Sequence, residues 1–267
     1  MKIDGKTIAE GILADLTRKV KQFHVTPTLA VILVGDDPES LSYIRQKQKA
    51  TEKIGGRFIF EHLPKAALPK EVAARVAMYN KDPSVHGLIV QRPLPPHIDI
   101  SINQSVYPKK DVDGFVENSP FEVPIAMAIF TILKHINISI KNKNTVIVGK
   151  GETAGKPIAA AFAKKQCATS IISSKTPNPV EIMKTADIII SCVGKQRVVT
   201  HGALKPGVIL ISVGLSRGED GKLHGDYEEG EIKNIASFYT PTPGGVGPLN
   251  IASLMQNLVL ATRKMTH

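Results

Sequence analysis

Tyr43 and Lys47 are four residues apart in a stretch that reads as a helix, so their side chains share one face. A phenol beside an ammonium can steady a lysine for proton transfer, a role that also needs burial or neighbouring cations to bring the amine toward neutrality. Arg45 and Lys49 are close in sequence, but neighbours two apart on a helix face away from Lys47. Gln91 ends a short apolar run, where an amide can orient a substrate or the lysine. Asp113 sits in Lys110-Asp111-Val112-Asp113-Gly114-Phe115. Its carboxylate suits a planar ring edge with adjacent N–H groups, such as an aminopyrimidine.

A second group lies a whole lobe further on. The apolar run 145–148 leads into Gly149-Lys150-Gly151-Glu152-Thr153-Ala154-Gly155 and then a helical stretch. Glycines here permit a tight turn and close approach of a pyrophosphate to the helix amino end, where free N–H groups and the dipole favour anions. The spacing is one residue longer than the usual dinucleotide fingerprint. A site for NAD usually has an acid about 20 residues on, to accept from the ribose hydroxyls. That place holds Ser173-Ser174-Lys175-Thr176. With Lys150 in the turn, these groups would receive a 2′-phosphate, so the sequence predicts NADP over NAD.

The elements that must position these residues follow from periodicity. Apolar positions Ile8, Ile12, Leu13, Leu16 and Val20 recur at helical spacing. A buried strand is predicted over 29–34, a helix over 38–54, an alternating strand over 57–63, a helix over 70–79 and a short strand over 87–90. This β-α-β-α-β order implies a mainly parallel sheet whose ligands gather at the carboxyl ends of its strands. Pro93, Pro95 and Pro96 stiffen an irregular stretch, and Pro124 opens a helix to about 136. A second series follows, with strands at 145–148, 169–173, 187–192 and 208–213 and helices at 155–165 and 180–185. A last helix over 250–264 carries Ile251, Leu254, Leu258 and Ala261 on one face and is expected to return to the first lobe. The fold class is thus α/β with two lobes: an amino-terminal substrate lobe (1–120 plus 248–267) and a Rossmann-like nucleotide lobe (121–247).

Composition sets limits on the alternatives. At 267 residues the chain suits two modest lobes, since single cores stop growing at roughly 250 to 300 residues. Its formal charge of +10 favours anionic partners. The basic residues are scattered among acids, with no Trp, 5 Tyr and 8 Phe, so no interleaved basic and aromatic platform for nucleic acid is present. No apolar run approaches the roughly 20 residues of a membrane span, and no signal-peptide pattern opens the chain, so the expectation is cytoplasmic. Cys167 and Cys192 lack the spacing of a metal site and read as reduced residues of buried strands, and no metal is expected.

Tyr43 with Lys47, Gln91-Arg92-Pro93-Leu94-Pro95, Lys110-Asp111-Val112-Asp113-Gly114-Phe115, the glycine loop, and Thr240-Pro241-Thr242-Pro243-Gly244-Gly245-Val246-Gly247-Pro248 occur in an order that resembles the bifunctional methylenetetrahydrofolate dehydrogenase/cyclohydrolases. In short-chain dehydrogenases, which share the Tyr-x-x-x-Lys spacing, the glycine loop comes first. The resemblance covers nearly the whole chain. It implies a cleft between the lobes, oxidation of methylenetetrahydrofolate by NADP, and hydrolysis of the methenyl product to 10-formyltetrahydrofolate. By analogy Lys47 is the acid/base residue, Tyr43 and Gln91 hold and tune it, and Asp113 binds the pterin. Pro243, Gly244 and Gly245 border the folate. Gly149, Lys150, Gly151, Thr153, Gly155, Ser174, Lys175 and Leu215 contact the cofactor. A homodimer is also implied. Gly149-Lys150-Gly151 stands where the family commonly has Gly-Arg-Ser, which replaces an arginine fork by a point charge. Two rivals remain at this point: a dehydrogenase of the same fold that lacks hydrolysis or prefers NAD, and a basic RNA-binding module.

Overall fold

Thr28–Val34 is buried at every position, as a strand covered on both faces must be, and forms β1. The structure, a computed structural model, describes residues 1–266. β2 (Arg57–Leu63) and β3 (Gly87–Val90) both pair parallel with β1, giving the sheet order β2-β1-β3. The crossovers are α2 (Pro38–Lys53) and α3 (Pro69–Lys81), preceded by α1 (Gly5–Val20). Because β2 and β3 lie on opposite sides of β1, the chain reverses its winding at β1, the place where open α/β sheets form a crevice.

α4 (Pro124–His135) leads to the second sheet, built from β4 (Thr145–Val148), β5 (Thr169–Ile172), β6 (Ile188–Ser191), β7 (Ile209–Ser212) and β10 (Phe238–Tyr239) in the order β10-β7-β6-β4-β5. All its pairings are parallel. α5 (Gly155–Lys164) and α6 (Pro179–Thr185) connect the early strands, while β8 (Ser216–Arg217), β9 (Leu223–His224) and the short α7 (Glu229–Ile232) decorate the later ones. Here the winding reverses at β4.

Two compact units result, one of Glu10–Pro124 with the residues from Ile251 onward, the other of Met1–Ala9 and Ile125–Asn250. Residues 1–9 cluster with the second of these units through backbone bonds. The Ile3 N–H donates to the Tyr239 carbonyl at 2.8 Å, Tyr239 N–H to the Met1 carbonyl at 3.0 Å and Lys6 N–H to the Gly244 carbonyl at 3.1 Å. α8 (Val246–Thr266) begins four residues before the expected position, and Pro248 is accommodated in its first turn, where no intrahelical N–H is missed. Its carboxyl-terminal part packs within the first unit as expected. Ile251, Leu254 and Leu258 are 5%, 2% and 0% exposed, and each contributes roughly 1.5–3 kcal/mol by burial.

Cys167 lies in the connection before β5 and Cys192 just after β6, so neither belongs to a strand; both are half-buried free thiols.

Candidate active site and dinucleotide site

α2 starts at the switch point of the first sheet. Asp37 caps it by accepting from the Ser40 N–H at 2.8 Å, with Pro38 in the first turn. Three turns on, Lys47 is 7% exposed. Its Nζ donates to Gln91 Oε1 at 3.0 Å and lies 4.0 Å from Asp113 Oδ2. Gln91 follows directly on β3, and its Nε2 donates to the Arg92 carbonyl at 2.8 Å. That second bond fixes which end of the amide meets the lysine. Ser40 Oγ donates to the same carbonyl at 3.3 Å, tying α2 to the segment after β3. Lys47, Gln91 and Asp113 thus meet at the carboxyl ends of β1 and β3.

Tyr43 lies one turn before Lys47 and is half-buried, and its hydroxyl bonds no protein group among the described residues. Burial, then the nearby Glu39 charge, raises its pKa, so the phenol stays protonated as a donor. The structure therefore brings Tyr43 to the lysine's face without a Tyr43–Lys47 hydrogen bond.

The turn bearing Asp113 is held from three directions. The Asn257 Nδ2 of α8 donates to the carbonyls of Val112 and Glu122, each at 2.8 Å. Arg92 places its guanidinium 4.4 Å from the centroid of the Phe115 ring. Asp111, 3% exposed, accepts from the N–H groups of Gly114 at 3.1 Å and Val116 at 2.8 Å. Burial is the main cause that pushes the Asp111 carboxyl up to about 6 from 3.8, opposed by the Val116 bond and reinforced by the Asp113 charge. A raised folded-state value means that this group's contribution to stability is fully present below 3.8 and is lost as pH rises through about 6. Asp111→Asn is therefore expected to flatten the pH dependence of the unfolding free energy across that window. Urea titrations at several pH values measure it; a slope identical to the parent's contradicts the assignment.

On the other unit, β4 runs into the glycine loop at the switch point of the second sheet. Gly149 has φ +99°, a conformation side chains resist. At Gly155, the first residue of α5, a Cβ would lie 2.0 Å from the Gly149 carbonyl oxygen. The turn is therefore folded so tightly onto the helix start that only glycine fits, leaving a cradle of N–H groups at the amino end of α5. Gly151 has nothing within 4 Å of an added Cβ, so a small side chain would fit there. Lys150, Gly151 and Thr153 are exposed along the loop, as are Ser174 and Lys175 beyond β5. Ser173 accepts from the Lys175 N–H at 3.3 Å through Oγ, which orders this strand end. The two lysines have no ion pair within the described protein, so they offer charge to a ligand. These groups fit a dinucleotide with a 2′-phosphate. Leu215 follows β7, its carbonyl packed against Gly194. Pro243, Gly244 and Gly245 join β10 to α8, and so belong to the nucleotide unit, not to the unit of Lys47.

Sequence reasoning missed Asn257 and Asp226. The first was legible as an amide at a position otherwise apolar in a buried helix; the second, in a stretch without clear periodicity, carried no local signal.

A parallel sheet with a glycine turn at its switch point, and a separate unit presenting a buried amine bonded to an amide beside a carboxylate, define a two-domain enzyme that works on a small molecule with a dinucleotide. The comparisons identify which. The family model "tetrahydrofolate dehydrogenase/cyclohydrolase, catalytic domain" matches residues 3–113 and that of the NAD(P)-binding domain of the same family matches 124–266. The chain is 39% identical over 276 residues to the bifunctional protein FolD of Geobacillus thermodenitrificans, covering 98% of this chain and 97% of that one. It is 40% identical to bifunctional protein FolD 2 of Lactobacillus johnsonii, with 98% and 97% covered. Among solved structures, the bifunctional FolD enzyme of Campylobacter jejuni superposes with a TM-score of 0.95 at 34% identity, covering 99% of both chains. The Trypanosoma brucei FolD complexed with NADP cofactor and inhibitor gives 0.94 at 28%, covering 100% of this chain and 98% of that one. The chain belongs to the tetrahydrofolate dehydrogenase/cyclohydrolase family.

Proposed function

We propose that this chain oxidises 5,10-methylenetetrahydrofolate to the methenyl form with NADP and then hydrolyses it to 10-formyltetrahydrofolate, with Lys47 as the acid/base residue of the second step. The observation that carries the reading is the buried Lys47 Nζ on Gln91 Oε1 at 3.0 Å, with Asp113 Oδ2 4.0 Å away. When bound, NADP supplies the acceptor for the hydride that leaves the methylene carbon. Asp113 accepts the paired N–H groups of the aminopyrimidine ring and so fixes the folate beside Lys47. In the water step the attacking water loses both protons as its oxygen becomes the formyl oxygen: Lys47 Nζ takes one and returns it to the nitrogen that departs when the ring opens, and the other passes to solvent. Gln91 keeps the amine aimed, and Tyr43, one turn before Lys47 on the same helix, offers a donor to substrate. Lys150, Ser174 and Lys175 receive the 2′-phosphate, Gly149, Gly151, Thr153 and Gly155 the pyrophosphate, and Leu215 the nicotinamide end. Pro243, Gly244 and Gly245 border the folate. The domain assignment follows these roles: the proton chemistry on the first unit, the dinucleotide on the second.

The test is an absorbance assay with methylenetetrahydrofolate and either cofactor, following reduced nicotinamide and the methenyl chromophore together. NADP is expected to be the better substrate. Lys175→Glu should raise KM for NADP about tenfold, the worth of one charge-assisted hydrogen bond, and leave KM for NAD little changed. A parent enzyme that prefers NAD contradicts the roles given to Lys150, Ser174 and Lys175. We extend the proposal to a cytoplasmic homodimer with no nucleic-acid or membrane partner, as family resemblance suggests. Among the described residues no helix is long and apolar enough to cross a membrane. Sedimentation at the mass of two chains supports the dimer, and a single-chain mass opposes it.

A further inference from the structure

The loops that follow β6 and β7 are irregular; one carboxylate holds the first by hydrogen bonds, and the second passes directly against it. Asp226 is fully buried. Its Oδ2 accepts from Ser191 Oγ at 2.6 Å and from the Val193 N–H at 2.9 Å. Its Oδ1 accepts from the N–H groups of Gly194 at 2.8 Å and Lys195 at 3.0 Å. Three successive backbone N–H groups therefore close around an internal anion, the arrangement that elsewhere makes a nest for a bound ion. The Asp226 N–H donates to Ser212 Oγ at 3.1 Å, which ties the same residue to the end of β7. Beyond β7, Gly214 passes directly against the carboxylate: a Cβ there would stand 2.4 Å from both oxygens.

The contacts continue outward to the dinucleotide edge. Gly194 packs on the Leu215 carbonyl, where an added Cβ would be 2.9 Å from the oxygen. The Cys192 carbonyl oxygen would lie 2.9 Å from a Cβ on Gly149, so the loop after β6 also backs the phosphate turn. Three stretches of carboxyl-edge backbone, after β4, β6 and β7, thus take their spacing from one buried group. Sheet order says what they serve. With the 2′-phosphate groups beyond β5 and the pyrophosphate turn beyond β4, the remaining half of a dinucleotide must extend over β6 and β7.

We propose that Asp226 is a positioning residue for the nicotinamide half of the dinucleotide, setting the backbone of 192–195 and 213–215 against which that half lies. The inference rests on the dinucleotide reading of this unit. It assigns Asp226 no contact with the ligand and no part in holding the adenosine half, and that separation makes it testable without turnover.

The experiment measures dissociation constants by titration calorimetry for two probes, NADP and adenosine 2′,5′-bisphosphate, the latter carrying only the half held at β4 and β5. Asp226→Asn keeps the shape but turns a four-acceptor anion into an amide facing N–H groups. It is expected to weaken NADP at least about tenfold, the worth of one lost charge-assisted bond, while the fragment stays within about twofold. Ser191→Ala, which removes one donor and leaves the carboxylate, should shift NADP in the same direction by a smaller factor, and it decides the matter if Asp226→Asn does not fold. Unchanged NADP affinity in the variants, or equal loss for both probes, overturns the role. Failure of the parent protein to bind either probe would instead overturn the dinucleotide reading itself.

Discussion

Lys47→Met is expected to lower the rate of methenyltetrahydrofolate hydrolysis by about 10²–10⁴-fold, the range general acid/base groups supply, with folate affinity changed only a few-fold. The substitution keeps the length of the side chain and most of its packing while removing the one nitrogen that can take a proton from water and return it. The turn around Asp113, proposed to hold the ring, keeps its supports in Asn257, Arg92 and Asp111, while Asp113 loses the Lys47 charge 4.0 Å from its Oδ2. The cost in stability is modest: Gln91 Oε1 loses its donor, worth roughly 1–3 kcal/mol if it stays unsatisfied. Decay of the methenyl absorbance gives the rate and a binding titration gives the affinity. Hydrolysis at the parent rate would remove Lys47 from the mechanism.

The second large effect is expected at the glycine turn. In Gly155→Ala the new methyl would meet the Gly149 carbonyl oxygen at 2.0 Å and its carbon at 2.8 Å, with Lys150 Cα at 3.0 Å. All three are backbone atoms, so nothing flexible can yield, and either the turn opens or the start of α5 shifts. Overpacking of this kind costs roughly 1–3 kcal/mol, and here it falls on the N–H groups proposed to receive the pyrophosphate. Reduction of NADP should be nearly abolished while hydrolysis of added methenyltetrahydrofolate continues, since Lys47, Gln91 and Asp113 belong to the other unit. Gly151→Ala is the control. It meets nothing within 4 Å and should leave the fold intact. Equal loss of both activities in Gly155→Ala would mean that the defect is global, and the turn would lose its assigned part.

The strands that carry the sites were legible because each is a short apolar run ended by glycine or a polar residue. β2, β3 and β4 begin and end where periodicity places them, β1 and β5 differ by one residue at one end, and β6 and β7 by one residue at each end. What escaped is what local sequence does not encode. Backbone bonds join Ile3 and Lys6 to Tyr239 and Gly244, over 200 residues away along the chain, and no local pattern announces them. β10 is two residues long and has no pattern to detect. The early start of α8 was hidden by Gly245, Gly247 and Pro248, which read as a loop but sit at a helix amino end, where proline is well tolerated. Of the proposed site, the residue types and order pointed to Lys47, Gln91 and Asp113, yet nothing in the spacing of 47, 91 and 113 sets a 3.0 Å bond between the first two. That bond comes from the reversal of winding at β1, a property of the sheet as a whole. Tyr43 shows what spacing does reach: it placed the phenol one turn before Lys47 on the same helix.

The most direct test of the central claim, that one chain moves a hydride from the folate to the nicotinamide and then adds water to the same carbon, uses methylenetetrahydrofolate carrying two deuterium atoms on the methylene bridge. After incubation with the protein and NADP, mass spectrometry should find one deuterium in the reduced nicotinamide and the other in the formyl group of 10-formyltetrahydrofolate. Reduced cofactor without label, or labelled cofactor with hydrolysis no faster than in Lys47→Met, would contradict the account.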